Sequence, residues 1–431
     1  MRKKSRAFLV VNVWFLLVLV CLFAIISGVF IFAGWWGRDF QITSRCLLGG
    51  FLILSGFLTG YFGTLRFFWY IIHWLSKNKP NHRKMDKGPK VVVIGGGTGL
   101  GTILRGLKEI TSNLTAVVTV ADDGGSSGRL RREFNILPPG DIRSCLVAMA
   151  DLEPLMEGLM QYRFSGDSDL AGHNFGNLFL TAMTGVTGDF EAAIKASSKV
   201  LAVRGQVLPA TLEHVVLKAK MSNGAIVAGE SQIARTGYSI REVFLDPVEC
   251  KPIPEAIQAI QEADVIILGP GSLYTSIIPN LLVKEIAEAI RNSLGIKVYI
   301  CNAMTQVGET EGYAASEHVQ ALIEHAGDGI VDIAVVNTGK IPEDILERYE
   351  EEGAQPVIAD LDQINALGIK PVGIDIVFKS NVIRHDATKL ATLIDDLIRA
   401  NKLENAFGRH IARQISKIFK VFSGIFYTRV S

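Results

Sequence analysis

Two glycine-rich corners and one acidic run hold the residues of this chain that could do chemistry. The first corner, Gly95-Gly96-Gly97-Thr98-Gly99, closes an apolar run, Val91–Ile94, and opens a helix-forming stretch to about Ile110. Unpaired N–H groups at a helix N-terminus carry the positive end of its dipole, so Gly96, Gly97, Thr98 and Gly99 suit a phosphate. The second corner, Gly269-Pro270-Gly271-Ser272, repeats the arrangement after Val265–Leu268. Two such corners in one sheet could flank a ligand with two phosphates, with Gly269, Gly271 and Ser272 on the facing side.

The acidic run, Asp122-Asp123-Gly124-Gly125-Ser126-Ser127-Gly128-Arg129, follows another apolar stretch, Thr115–Val120. A strand there delivers Asp122 and Asp123 to the carboxyl edge of a parallel sheet, where ligands of open α/β folds bind. Ser126 and Ser127 are expected to line the pocket beside them. Mg²⁺ often takes one or two carboxylates plus phosphate oxygens, so Asp122 or Asp123 could hold one together with a ligand. In Pro138–Ser144, Asp141 is either a helix cap or a ligand contact, and Arg143 could pair with an anion. His173, Asn174 and Asn177 open an apolar helix; they start it, or they also offer hydrogen bonds to a sugar or base. Asn302 and Thr305, with Gln306 and Glu309, follow a further strand and would form pocket walls or subunit contacts.

Other chemistries are disfavoured. The first corner lacks the Lys-Ser/Thr of a Walker loop, and its glycine spacing fits a dinucleotide fingerprint only loosely, which argues against an NAD(P)-dependent oxidoreductase. No HExxH or CxxC spacing occurs and no Ser-His-Asp or Cys-His set can be assembled, so neither the five cysteines nor the histidines suggest a zinc site, a disulfide framework or a nucleophile. A net charge of +1 with no base-reading motif argues against a nucleic-acid partner.

The elements that must position these residues follow from periodicity. Between residues 90 and 400, apolar strands alternate with amphipathic helices, which predicts a Rossmann-like, doubly wound, mostly parallel α/β sheet. The clearest strands are Val91–Ile94, Ala116–Val120, Val265–Leu268, Val298–Ile300 and Ile333–Val336; Ser276–Arg291 and Glu317–His325 read as helices. Helical patterns from Asp141 to Thr211 predict an insertion over the ligand edge, and Leu212–Asp246 predicts a small antiparallel hairpin.

The 431-residue chain has a mean hydropathy of +0.29, which traces to its first part. Ala7–Ala33 and Cys46–Leu65, with an aromatic extension to Leu75, are each long enough to span a bilayer, which predicts a transmembrane hairpin over 1–75. A basic linker, 76–89, follows. Arg2, Lys3, Lys4 and Arg6 before the first span, and Lys77 to Lys87 after the second, place the chain in the cell membrane as a multi-pass protein. Both termini and the globular domain are then cytoplasmic. Residues 401–431 predict a basic amphipathic helix, with Ile411, Ile415, Phe419 and Phe422 on one face, that lies on the inner leaflet or packs on the core.

Taken together and in order, GGGTGL, ADDGGSSGRLR, PPGDIR, GPGSLYTS and CNAMTQVGET resemble the YvcK branch of the YvcK/CofD superfamily, over about residues 90–400. The resemblance implies a Rossmann-like domain with helical and hairpin elaborations that binds a UDP-sugar such as UDP-N-acetylglucosamine. It also implies a regulator of cell shape, envelope precursor metabolism and gluconeogenic growth rather than a catalyst, expected as a homo-oligomer with an envelope-synthesis protein as partner. The CofD branch implies the alternative, a 2-phospho-L-lactate transferase using a guanosine diphosphate-linked donor, a deazaflavin precursor and Mg²⁺. Mg²⁺ is the one cofactor either reading suggests. Two residues depart from the family pattern: Phe175 stands for a smaller aliphatic residue and Val307 for a proline.

Overall fold

Val91–Gly95 has no polar side chain, so as a strand it can be covered on both faces; it forms β1, fully buried at the centre of the sheet. A computed structural model describes residues 88–402, apart from 152–153 and 379–382, and a few isolated positions before them (26, 27, 29, 31, 51, 53). The chain divides into two units, Met1–His82 and Arg83–Ser431, and the second is described below. The expected hairpin, most of the linker and the C-terminal amphipathic helix lie outside the described residues. Among the described residues, no helix is long and apolar enough to cross a membrane.

β1 lies within a seven-stranded sheet of order β10-β9-β8-β7-β1-β2-β3, parallel throughout. Its neighbours are β2 (Leu114–Val118) on one side and β7 (Val265–Leu268) on the other, in a register that pairs Ile94 with Val117 and Leu268. From β2 the chain moves outward to β3 (Gln206–Pro209). From β7 it moves the other way, through β8 (Ile296–Ile300) and β9 (Ile333–Asn337) to β10 (Lys370–Ile374). The direction of winding therefore reverses between β1 and β7, and their carboxyl ends form the topological switch point where ligands of such sheets bind.

The five expected strands are present, with boundaries shifted by a few residues. β3 and β10 were not expected: each is an edge strand, Gln206–Pro209 buries only the short run Val207, Leu208 and Pro209, and Lys370–Ile374 has no fully buried residue. The helical insertion is Pro139–Met149, Pro154–Gln161, Phe175–Thr187 and Phe190–Val200. The expected hairpin region is a three-stranded antiparallel sheet, with β4 (Val216–Met221) between β5 (Ile226–Ala228) and β6 (Ile240–Asp246).

Two local readings change. The acidic run is not a long loop, because a helix, Gly125–Phe134, begins directly after Gly124 and buries Ser126, Ser127, Gly128 and Leu130. Ser276–Arg291 is not one helix. It divides into a π-helical turn, Leu273–Ile277, a short helix, Ile278–Leu281, and a third, Lys284–Asn292. Pro279 has no N–H to give to the carbonyl four residues back, so a regular α-helix cannot run unbroken through it.

Candidate ligand-binding site

The two glycine corners touch through their backbones. A Cβ on Gly99 would lie 2.6 Å from the Pro270 carbonyl oxygen and 3.0 Å from its carbon, so only glycine allows this approach. Beneath the first corner, a Cβ on Gly96 would lie 2.5 Å from Oδ2 of Asp141. Between the corners opens a cleft of about 460 Å³, within the range of small-molecule sites. Gly96, Gly97, Thr98 and Gly99 line one wall, and Gly271, Ser272, Asn302 and Thr305 line the other. Sequence reasoning named all eight as candidates, with Asn302 and Thr305 as pocket walls or subunit contacts.

The loop after β8 holds the second corner in shape. Asn302 donates from Nδ2 to the Gly271 carbonyl (2.9 Å), and Gln306 donates from Nε2 to Ser272 Oγ (2.8 Å). Thr305 lines the cleft, but its Oγ accepts the Gln355 N–H (2.9 Å). Glu309 is buried and accepts from the Tyr274 N–H (3.2 Å) and the Thr275 hydroxyl (2.9 Å). Desolvation raises its pKa, and these hydrogen bonds oppose the rise. The start of the π-helical turn thus already carries a carboxylate. The second corner can offer a ligand Gly271 and Ser272, but not the helix N-terminus that its spacing suggested. Gly269, which follows β7, is not in the cleft wall.

The other sequence-predicted residues stand behind the first corner as a supporting layer. Asp141 is not the cap of its helix: Pro138 is the N-cap, and Asp141 sits in the first turn beside the Gly97 N–H. Desolvation and then the charge of Asp122 push its carboxyl up to about 7. Ser126 Oγ is a hub. It accepts from the Asn174 N–H and from Asn177 Nδ2 (3.2 Å each), and so gives its own proton to His173 Nδ1 (3.2 Å). Asn174 is the N-cap of Phe175–Thr187, accepting from the Asn177 N–H. Arg143 donates to Asn177 Oδ1 (3.1 Å) and Ser144 Oγ (3.1 Å) rather than facing an anion. His173, Asn174, Asn177, Ser126 and Ser127 are all buried.

Asp122 and Asp123 are likewise engaged. Asp122 Oδ1 accepts the Gly124 N–H (2.8 Å) and the carboxylate also bonds Ser127; desolvation raises its pKa. Asp123 Oδ1 accepts the Ser231 N–H (2.9 Å). Among the described residues, no group of three or more His, Cys, Asp or Glu is set to hold a metal. The pair therefore fits Mg²⁺ only as partial ligands, with most of the coordination coming from ligand phosphates and water.

Sequence reasoning missed several residues of the cleft, among them Arg384, His385, Tyr349 and Glu230. Arg384 and His385 form strand β12, which pairs with β11 (Val377–Phe378) and reaches the cleft from the far end of the domain. The His385 Nε2–H donates to the Cys301 carbonyl (3.1 Å), and Tyr349 Oη accepts the Ile383 N–H (3.1 Å), which fastens this hairpin beside the second corner. Glu230 comes from the short helix Glu230–Ile233 between β5 and β6. None has a spacing signal, because each arrives from a distant part of the chain as a single side chain.

The model of the family described as 2-phospho-L-lactate transferase CofD matches residues 91–377. The gluconeogenesis factor of Bacillus subtilis is 53% identical over 316 residues, 73% of this chain and 100% of that one. A Nostoc relative is 48% identical over 372 residues, 84% of this chain and 82% of that one. A crystal structure of a UPF0052-family protein from Bacillus halodurans superposes with a TM-score of 0.70 at 52% identity, covering 72% of this chain and 99% of that one.

Proposed function

This chain belongs to the family of CofD and the gluconeogenesis factors, and from that premise we propose that it is a nucleoside diphosphate sugar-binding regulator acting in gluconeogenic growth. Its ligand is of the UDP-N-acetylglucosamine type, and its output is envelope precursor supply and cell shape. The observation that carries the reading is the meeting of two glycine corners at the switch point between β1 and β7, opening on one cleft. The first corner offers backbone N–H groups to one phosphate. Gly271 and Ser272 line the same cleft and supply contacts for a second, and Arg384 adds positive charge there. The relatives of known name are called gluconeogenesis factors, which supports the metabolic part of the proposal.

Binding without turnover is favoured because, among the described residues, no nucleophile in the cleft wall is paired with a base. We further propose that the protein acts at the cytoplasmic face of the membrane, tethered by residues 1–75. In support, the 372-residue match to the Nostoc relative is longer than the stretch from residue 90 to the end, so it reaches into the N-terminal segment. The second reading, a CofD-like transferase with Mg²⁺, is favoured by the family match itself.

Calorimetric titration of the chain with UDP-N-acetylglucosamine, GDP and NADPH, with and without Mg²⁺, separates the readings. Saturable UDP-sugar binding with no product formed supports the regulator. Release of GMP from a guanosine diphosphate-linked lactate donor, as its phospholactyl group passes to the hydroxyl of an added deazaflavin acceptor, supports the transferase and overturns the regulator.

A further inference from the structure

Glu230 is the single carboxyl side chain in the wall of the cleft, among the described residues. It sits on a four-residue helix, Glu230–Ile233, that belongs to the antiparallel sheet rather than to the Rossmann-like sheet. That helix is fixed over the cleft from two sides. Asp123 takes the Ser231 N–H (2.9 Å), and Gly308, from the loop after β8, packs so closely that a Cβ there would lie 2.1 Å from the Ala234 carbonyl oxygen. Glu230 is therefore carried into the site by a rigid mount.

Its carboxyl is left incomplete. Oε2 is shielded from solvent and has no hydrogen-bond partner among the described residues. A shielded, unpaired polar oxygen lowers folding stability. The surroundings make the ionised form worse. Loss of solvent, and then the charges of Asp122, Asp141, Glu309 and Asp123, push the Glu230 carboxyl up to about 9. At neutral pH it is an uncharged acid with a proton to donate. Such a group gives nothing to the fold, and unfavourable groups of this kind concentrate where a ligand is bound or turned over.

We propose that Glu230 is a ligand-contacting residue of the cleft, whose carboxyl O–H donates a hydrogen bond to an oxygen of the bound nucleoside diphosphate sugar. The inference rests on the functional reading above and adds a specificity element to it. An ionised glutamate lining the same cleft as Gly97 and Thr98 would repel a phosphate, whereas a neutral acid reads a phosphate or sugar oxygen as an acceptor. The antiparallel sheet thereby acquires a role: it presents this donor opposite the glycine corners.

The test compares the full chain in detergent with its Glu230→Gln and Glu230→Ala variants, titrating UDP-N-acetylglucosamine in the presence of EDTA and recording each melting temperature. Glutamine keeps a neutral donor in the same place, so its affinity stays within about threefold of wild type, while alanine loses about tenfold. Both variants melt at or above the wild-type temperature, because each removes an unfavourable carboxyl. Equal losses for glutamine and alanine would show that the ionised carboxylate is needed and overturn the proposal. So would an unchanged affinity for alanine, or melting temperatures that fall in step with affinity. If wild type binds no diphosphate sugar, the functional reading fails as well, and that outcome is distinct from a wild type that binds with an indifferent Glu230.

Discussion

Replacing Gly99 by alanine tests whether the two corners work as one site. The added methyl would stand 2.6 Å from the Pro270 oxygen, 3.0 Å from its carbon and 3.2 Å from the Gly271 Cα, where ordinary contact begins at 3.4 Å. The corners must therefore part by about 0.8 Å at the tightest point, and every obstructing atom is backbone. Overpacking of this kind costs about 1–3 kcal/mol in stability. Moving Gly271 and Ser272 away from the first corner should weaken a bridging diphosphate by at least about tenfold, or roughly 1.4 kcal/mol. Two residues along the same helix, Gly101→Ala is the control. Its methyl would meet Ala148 Cβ at 3.6 Å, the Ser144 carbonyl oxygen at 3.7 Å and Arg105 Nη1 at 3.9 Å, all ordinary contacts, so it should bind normally and gain up to about 1 kcal/mol from helix propensity. Urea unfolding and calorimetric titration with UDP-N-acetylglucosamine read both effects. If Gly99→Ala matches wild type in both, or Gly101→Ala is equally damaging, the reasoning about the joined corners is wrong.

Other perturbations follow from the same geometry. Glu309→Ala orphans the buried Tyr274 N–H and the Thr275 hydroxyl, so unfolding should show a loss of about 1–3 kcal/mol for each. Asp141 titrates near 7 in the folded chain against an ordinary 3.8, so the native state holds its proton more tightly. That contribution to stability is full below about pH 4 and is lost as pH rises through 7. Asp141→Asn should accordingly gain stability over wild type between pH 4.5 and 8 in urea melts, and a pH-independent difference would rule this out. Cys145, Cys250 and Cys301 are buried, with thiols pushed up by desolvation, Cys250 to about 11 and Cys301 to about 12. A thiol reagent at pH 7.5 should leave these three unmodified until denaturant is added, as peptide mapping would show.

The central architecture was legible because it depends on short, continuous signals. A buried run such as Val91–Ile94 ending in glycines specifies a strand, a corner and a helix at once, whereas Val265–Leu268 specifies the strand and the corner but not the π-helical turn that follows. What sequence could not convey is which polar residues face the cleft and which face one another. Ser126, His173, Asn174 and Asn177 have the chemistry of a sugar site, yet the helix starting at Gly125 turns them into a buried network behind the first corner. Glu309 seemed a pocket wall but caps the turn that was assigned to a phosphate. Glu230 and Arg384 were invisible because contact between positions so far apart is set by tertiary packing, not by periodicity. The edge strand β10 escaped for a related reason: it does not need the continuous apolar run that burial on both faces imposes on β1 and β7, while β3 buries a run of only three residues inside a stretch that reads as helical.

The most direct test of the central claim is a crystal structure of the chain soaked with UDP-N-acetylglucosamine. The account predicts diphosphate density bridging the Gly97–Gly99 backbone and Gly271-Ser272, with Glu230 and Arg384 within contact distance. Density anywhere else, such as the hollow at the opposite edge of the sheet beside Lys90 and Gln206, would contradict it.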